Sequence, residues 1–298
     1  MRLSTALNEY KLTRHERFPE ERRTVSGSFS GHGDRLVHVG EDGTLKDYSD
    51  SLSGLSGIDR SRLGVMLGDD IRWFSDLETI RQHYYRETRL VETEYNAGSF
   101  TVHQYDLTLG RAHVTHVAMR GAVPQNAKLV AFVTLAPDSS DSGVGSLIHE
   151  DAGPDDSRVL EVYHRREHDY LASSTGLDTV AGQRPERLAE ILEDSPIEFP
   201  RSVSVERRDQ TRLTGDFLVT APLDRSGRSK DTTLVSQLSN HDEVDRETAL
   251  LDLADCVAEH TTSDDLRQAG RERTRIDVAE SMPRSDSIRM DLRVLDLL

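Results

Sequence analysis

The chain has 298 residues, enough for one large domain or two smaller ones with a substantial core. Its formal net charge of −16 excludes a nucleic-acid groove or an anionic membrane surface as partner, because both need clustered Lys and Arg. Only 35% of the residues are hydrophobic, and four lysines stand against thirty-three arginines, a balance that reads as solubility in concentrated salt. There the Debye length shrinks to about 3 Å at 1 M and self-repulsion costs little. A halophilic cytoplasm is the leading reading, and a merely acidic mesophilic protein is the alternative.

The N-terminal stretch “MRLSTALNEYKLTRHERFPEERR” carries charge throughout and no apolar run of signal-peptide length. Arg22-Arg23 is followed by “TVSGSFSGHGD” instead of the hydrophobic segment of a twin-arginine signal. “RLVHVGEDGTLKDYSD” then predicts two strands joined at “EDG”, with Leu36 and His38 alternating against Val37 and Val39, and Leu45 after the turn. “HYYRETRLVETEYNAGSFTVHQYDLTLGRAHVTHVAMRG” continues as three or four antiparallel strands with turns at Asn96-Ala97-Gly98 and Gly110. “KLVAFVTLAP” is a compact apolar strand. A Ser-, Asp- and Gly-rich connection from Asp138 to Ser157 leads to the shorter strands “RVLEVYHR”, “DYLASSTG” and “LDTVAGQ”.

“RPERLAEILED” predicts a short helix, with Pro185 in its first turn and Leu188, Ile191 and Leu192 on one side. After the late strands “TRLTGDFLVTAP” and “TTLVSQLS”, “DEVDRETALLDLADCVAEH” predicts a longer one. From Thr261 to Ser287 the sequence is polar, with Gly270 and Pro283, and reads as a linker or a weak, exposed helix. The closing “IRMDLRVLDLL” places Ile288, Leu292, Leu295 and Leu298 at helical spacing, widened by Val294 and Leu297, with no closing Gly, Asn or base. The expected fold is therefore mainly β. A large antiparallel, supersandwich-like β-sandwich occupies 1–240, a helix and linker 241–286, and an incomplete helix of a further, truncated domain 287–298.

Motifs with chemistry are scarce. “GSFSGHGDR” has Gly27, Gly31 and Gly33 but no following helix to hold a phosphate, so they read as turn glycines. His113 and His116, three apart on a strand, face opposite sides and cannot share a metal. His164 and His168 could meet only on a helix, and Tyr163 and Tyr170 flank them like strand ends. Cys256, the one cysteine, allows no internal disulfide and agrees with a cytoplasmic location. It lies on a helix with the face Leu250, Leu253, Ala254 and Val257 and reads as a buried small hydrophobe, not a nucleophile. Trp73, the one tryptophan, reads as a core or inter-sheet anchor before a sugar-stacking platform. The carboxylates are too numerous to pair by sequence, so no catalytic, cofactor-binding or metal residue is nominated.

The series “RFPEERRTVSGSFSGHGDRLVHVGEDGTLKDYS”, “LSGLSGIDRSRLGVM”, “YDLTLGRAHVTHVAMRG”, “VYHRREHDYLASSTG” and “MDLRVLDLL” resembles the N-terminal part of archaeal, especially haloarchaeal, enzymes of glycoside hydrolase family 15. These are glucoamylases, or glucan 1,4-alpha-glucosidases. The resemblance implies a non-catalytic sandwich that supports an (α/α) barrel, with 287–298 as the first barrel helix. It also implies that both catalytic glutamates of the inverting reaction lie on barrel loops beyond residue 298. Arg72-Trp73 lies within the sandwich and is not the family's Trp-x-Arg-Asp segment. The partner is then the barrel, in cis or as a split polypeptide, with an α-glucan or oligosaccharide contacted only through it. No cofactor, nucleic acid or membrane is expected. The alternative is a stand-alone β-sandwich module that binds glycan or protein without enzymatic activity.

The charge makes one prediction. Circular dichroism should show the β-signal retained in molar KCl and weakened in dilute buffer, where unscreened carboxylates repel. Equal thermal stability at low and high salt would leave only an acidic composition and no halophilic adaptation.

Overall fold

A computed structural model of the chain describes residues 27–31, 35–50, 55–68, 70–139, 144–182, 215–226 and 228–281. The anticipated helices at “RPERLAEILED” and 287–298 lie outside the described residues.

Two antiparallel sheets account for the described strands. The first contains β1 (Ser28–Phe29), β2 (Arg35–Val39), β3 (Leu45–Asp50), β4 (Leu55–Leu67), β10 (Lys128–Leu135), β15 (Asp216–Pro222) and β14 (Thr179–Gly182), in that spatial order. β5 (Asp70–Trp73) pairs with the end of β4. The second runs β11 (Gly145–Gly153), β12 (Ser157–His164), β13 (Glu167–Ser173), β17 (Ser229–Asn240), β9 (Ala112–Gly121), β8 (Phe100–Leu109), β7 (Val91–Asn96), β6 (Glu78–Tyr84). The short β16 (Asp224–Ser226) pairs with the start of β17. Two helices follow, α1 (Arg246–Glu259) and α2 (Ser263–Ser281). The mainly β sandwich and the helix after it stand as read from the sequence.

Period-two alternation fixes which residues meet between the sheets. Val37, Tyr48, Ile58, Val65, Leu129, Val133 and Phe217 from the first sheet join Tyr95, Val102, Val117, Met119, Leu160, Val162 and Leu171 from the second in one apolar core. Across the core, β4 lies against β17. Gly57 there has φ +56°, and a Cβ would lie 2.4 Å from Leu238 and 2.6 Å from the Tyr48 carbonyl, so only glycine fits.

The second sheet is covered on its outer face as well. Ala249, Leu253 and Val257 of α1 and Leu266 of α2 pack on Leu107, Val114, Tyr170, Ala172 and Val235. Asp245 caps α1, accepting from the Thr248 amide at 2.9 Å, and Gln237 on β17 donates from Nε2 to the Ala249 carbonyl at 2.8 Å. Of the two readings of 261–287, a helix is observed over Ser263–Ser281, and it is not exposed throughout. Thr262 starts it as a capping box, its hydroxyl accepting from the Asp265 amide while its own amide donates to the Asp265 carboxylate. Arg267 then donates to Glu92 at 3.0 Å with its guanidinium 5.2 Å from both the Tyr85 and Tyr105 rings.

One expectation needs correction, and another resolves to one of its two alternatives, the core anchor. The Asp138–Ser157 connection contains a strand, β11, because its Leu147 and Ile148 pair with Glu161 and Leu160 of β12 and extend the sheet by one position. Trp73 is an anchor, but on the outer side of the first sheet and not between the sheets. It packs with Val130 and Leu218, which alternate with the inward Leu129 and Ala131, and Arg62 covers its ring at 4.7 Å. No helix among the described residues is long and apolar enough to cross a membrane.

The fully buried Leu253 holds α1 on the sheet, so Leu253→Ala should cost about 2–5 kcal/mol through lost burial and the cavity left behind. Urea unfolding in molar KCl measures it, and a loss under 1 kcal/mol would mean that α1 is not part of the cooperative unit.

Candidate functional site

A polar constellation of histidines, a carboxylate and an arginine lies on the outer face of the second sheet, at the start of α1. Strand register builds it. Glu161 on β12 stands opposite Tyr170 of β13, and Tyr163 stands opposite His168. His149 on β11 stands opposite Val159, two residues from Glu161 on the same face. The turn after β17 adds His241, whose amide donates to the Arg166 carbonyl at 2.8 Å, and α1 adds its first residue, Arg246.

Glu161 is the hub, and its side chain is fully buried. Its Oε1 meets His168 Nδ1 at 2.5 Å and accepts from Arg246 Nε and Nη2 at 3.2 and 3.1 Å. Its Oε2 meets His149 Nε2 at 2.5 Å. Burial pushes this carboxyl up, but the bonds from His149 and His168 and the charge of Arg246 overcome it and hold Glu161 well below the usual carboxylate range. His241 lies flat on His168, ring centroids 3.4 Å apart and planes 6° apart, and its Nε2 meets the Tyr170 hydroxyl at 2.8 Å. Burial, then the neighbouring His168, lowers His241 to about 4. One ligand atom from each of Glu161, His168 and His241 lies within 4.8 Å of the other two.

Other histidines fall as the alternation required. His113 faces inward, with Nε2 3.3 Å from Asp106, which also accepts from Thr115 at 2.8 Å and Gln104 at 2.9 Å. His116 faces outward and meets the Thr233 hydroxyl at 2.9 Å, so the two share no ligand. His164 pairs with Asp138 at 3.1 Å on the face opposite His168. His168 nonetheless belongs to the only group of three or more possible metal ligands among the described residues, with partners that sequence spacing does not bring near it. Gly27, at φ +113°, precedes the strand β1 and no helix.

Between the sheets, Glu167 accepts from the Gly57 amide at 2.7 Å and from the Asp138 amide. Asp169 is also buried, and neither of its oxygens has a hydrogen-bond partner. Burial, then the charges of Glu167 and Asp138, pushes its carboxyl well above the ordinary value. A separate cavity of about 320 Å³ is lined by Arg111, Gln237, Asp252, Asp255, Cys256, Glu259 and His260.

The family described as “Domain of unknown function (DUF7997)” matches residues 1–249. No curated protein matches. Among solved structures, a bacterial glucoamylase complexed with acarbose aligns with TM-score 0.56 at 9% identity, over 78% of this chain and 34% of that one. A family GH92 inverting mannosidase from Bacteroides thetaiotaomicron aligns with TM-score 0.48 at 11% identity, over 90% of this chain and 34% of that one. The chain thus spans about a third of the length of these structures, and the likeness to the glucoamylase is one of fold.

Cys256 is half-buried, and burial followed by the Glu259 charge pushes its thiol up to about 12. Alkylation of the native chain by iodoacetamide at pH 8 should therefore be slower than that of the urea-unfolded chain by at least about a hundredfold, and equal rates would refute this protected state.

Proposed function

The chain belongs to the DUF7997 family, and we propose that it is the β-sandwich portion of a family 15 glycoside hydrolase of the glucan 1,4-alpha-glucosidase type. In this reading it carries no catalytic group and supports an (α/α) barrel, supplied in cis or as a separate polypeptide, that acts on α-glucans or their oligosaccharides. The observation that carries the proposal is the glucoamylase alignment, which takes in 78% of this chain while using only a third of the enzyme's length. The resemblance of the sequence series to haloarchaeal members of that family points the same way.

The surroundings of the buried carboxylates Glu161, Asp169 and Asp106 fit a non-catalytic role for these three. Inverting hydrolysis needs an acid and a base about 6.5–9.5 Å apart across an open site that admits sugar and water. Glu161 is buried and engaged by His149, His168 and Arg246, Asp169 lies between the sheets, and Asp106 accepts three hydrogen bonds in the core. None of these three faces a groove that a glucan could enter. A self-sufficient glycan-binding module has less support, because Trp73, its best stacking candidate, is 6% exposed and lies beneath Arg62.

The purified chain should release no glucose above background from maltooligosaccharides, whereas co-expression with a haloarchaeal family 15 barrel should yield a complex recoverable by pull-down. Turnover that survives removal of contaminating hydrolases would place an acid and base in this chain. Failure of any family 15 barrel to associate would favour the stand-alone module.

A further inference from the structure

We propose that Glu161, His168 and His241, with His149 completing the set, form a site for a divalent transition metal of the zinc class on the outer face of the nine-stranded sheet. Three imidazoles and one carboxylate suit tetrahedral zinc, whereas calcium and magnesium call for oxygen donors. Ligands about 2.0–2.1 Å from a zinc ion stand roughly 3.4 Å from one another, so the three atoms now within 4.8 Å must draw in to close on it.

The supports are rigid. His149, Glu161 and His168 lie on three consecutively paired strands, and the backbone bond to Arg166 ties His241 to the β12–β13 turn. In the stacked arrangement the Tyr170 hydroxyl meets His241 Nε2 at 2.8 Å, a bond that His241 either keeps by pivoting about Nε2 or gives up when it turns toward an ion.

Two contacts oppose the metal and define how it must enter. Arg246 occupies Glu161 from 3.1 Å, and the rings of His168 and His241 lie in nearly parallel planes, so their in-plane lone pairs do not converge on one centre. Binding therefore requires Arg246, whose side chain is 44% exposed, to swing into solvent and His241 to turn out of the stack. The ion then replaces the guanidinium as counter-charge to Glu161. Metal and Arg246 compete for one carboxylate, which a merely structural ion pair does not predict.

The test uses the full chain in molar KCl, titrated with Zn²⁺ by calorimetry and with Co²⁺ by visible absorption, where tetrahedral Co²⁺ absorbs strongly. One equivalent should bind. His241→Ala should weaken binding by at least about tenfold with unchanged circular dichroism, and Arg246→Ala should tighten it. His260→Ala, at the separate cavity beside Cys256, should change nothing. The proposal is overturned by no stoichiometric uptake in the wild-type chain, by uptake undiminished in both His241→Ala and His149→Ala, or by weaker binding in Arg246→Ala.

Discussion

The centre of the nine-stranded sheet, β9, β17 and β13, is buried on both faces, by the first sheet on one side and by α1 and α2 on the other. An antiparallel sheet with one wet face can discharge its polar side chains to solvent on alternate positions. This one cannot. The described burial is unbroken from Ala112 to Met119 on β9, along all of β13, and from Asp231 to Ser239 on β17. Those strands are nevertheless rich in Thr, Ser, His, Gln, Asp and Glu, so each polar group must find a partner inside the protein.

Most do, and the manner differs between the faces. Toward the first sheet, Asp106 gathers Gln104, His113 and Thr115 from its own strand and the neighbouring one. Toward the helices, Glu161 gathers two histidines and the first residue of α1, so a buried charge and a helix start are fixed by the same contacts. Breaking such a set leaves an uncompensated charge, a larger loss than the set itself contributes. Asp169 on β13 and Ser239 on β17 are exceptions, with side-chain oxygens that have no hydrogen-bond partner, and burial pushes the Asp169 carboxyl well above its ordinary pKa.

Hairpins whose strands keep one apolar face were legible in the sequence. “RLVHV” and “LKDYS” became β2 and β3, and the turns at Asn96-Ala97-Gly98 and Gly110 separate β7, β8 and β9 as read. β11 was not legible, because “GSLIHEDAG” carries few apolar residues and covers the sheet only at its margin. α2 looked like a linker because its buried side is narrow: Leu266 is fully buried, and Gly270 passes close to Thr88 and Leu90. The Thr262–Asp265 capping box was the signal that marked its start. The Glu161 cluster was out of reach, since His149, Glu161, His168 and His241 come together only through sheet register and the return of β17.

That return also sets an order of events during synthesis. β17 lies between β13 and β9 and pairs with both, joining His116 to Thr233 across 117 residues. Until it leaves the ribosome, the sheet exists as two fragments, β6–β9 and β11–β13, each with a raw edge of unpaired amides and carbonyls. At about 5–20 residues per second, the edge of β9 waits on the order of ten seconds for its partner. A cell making this chain must keep that edge from pairing with another nascent copy until β17 arrives to cover it.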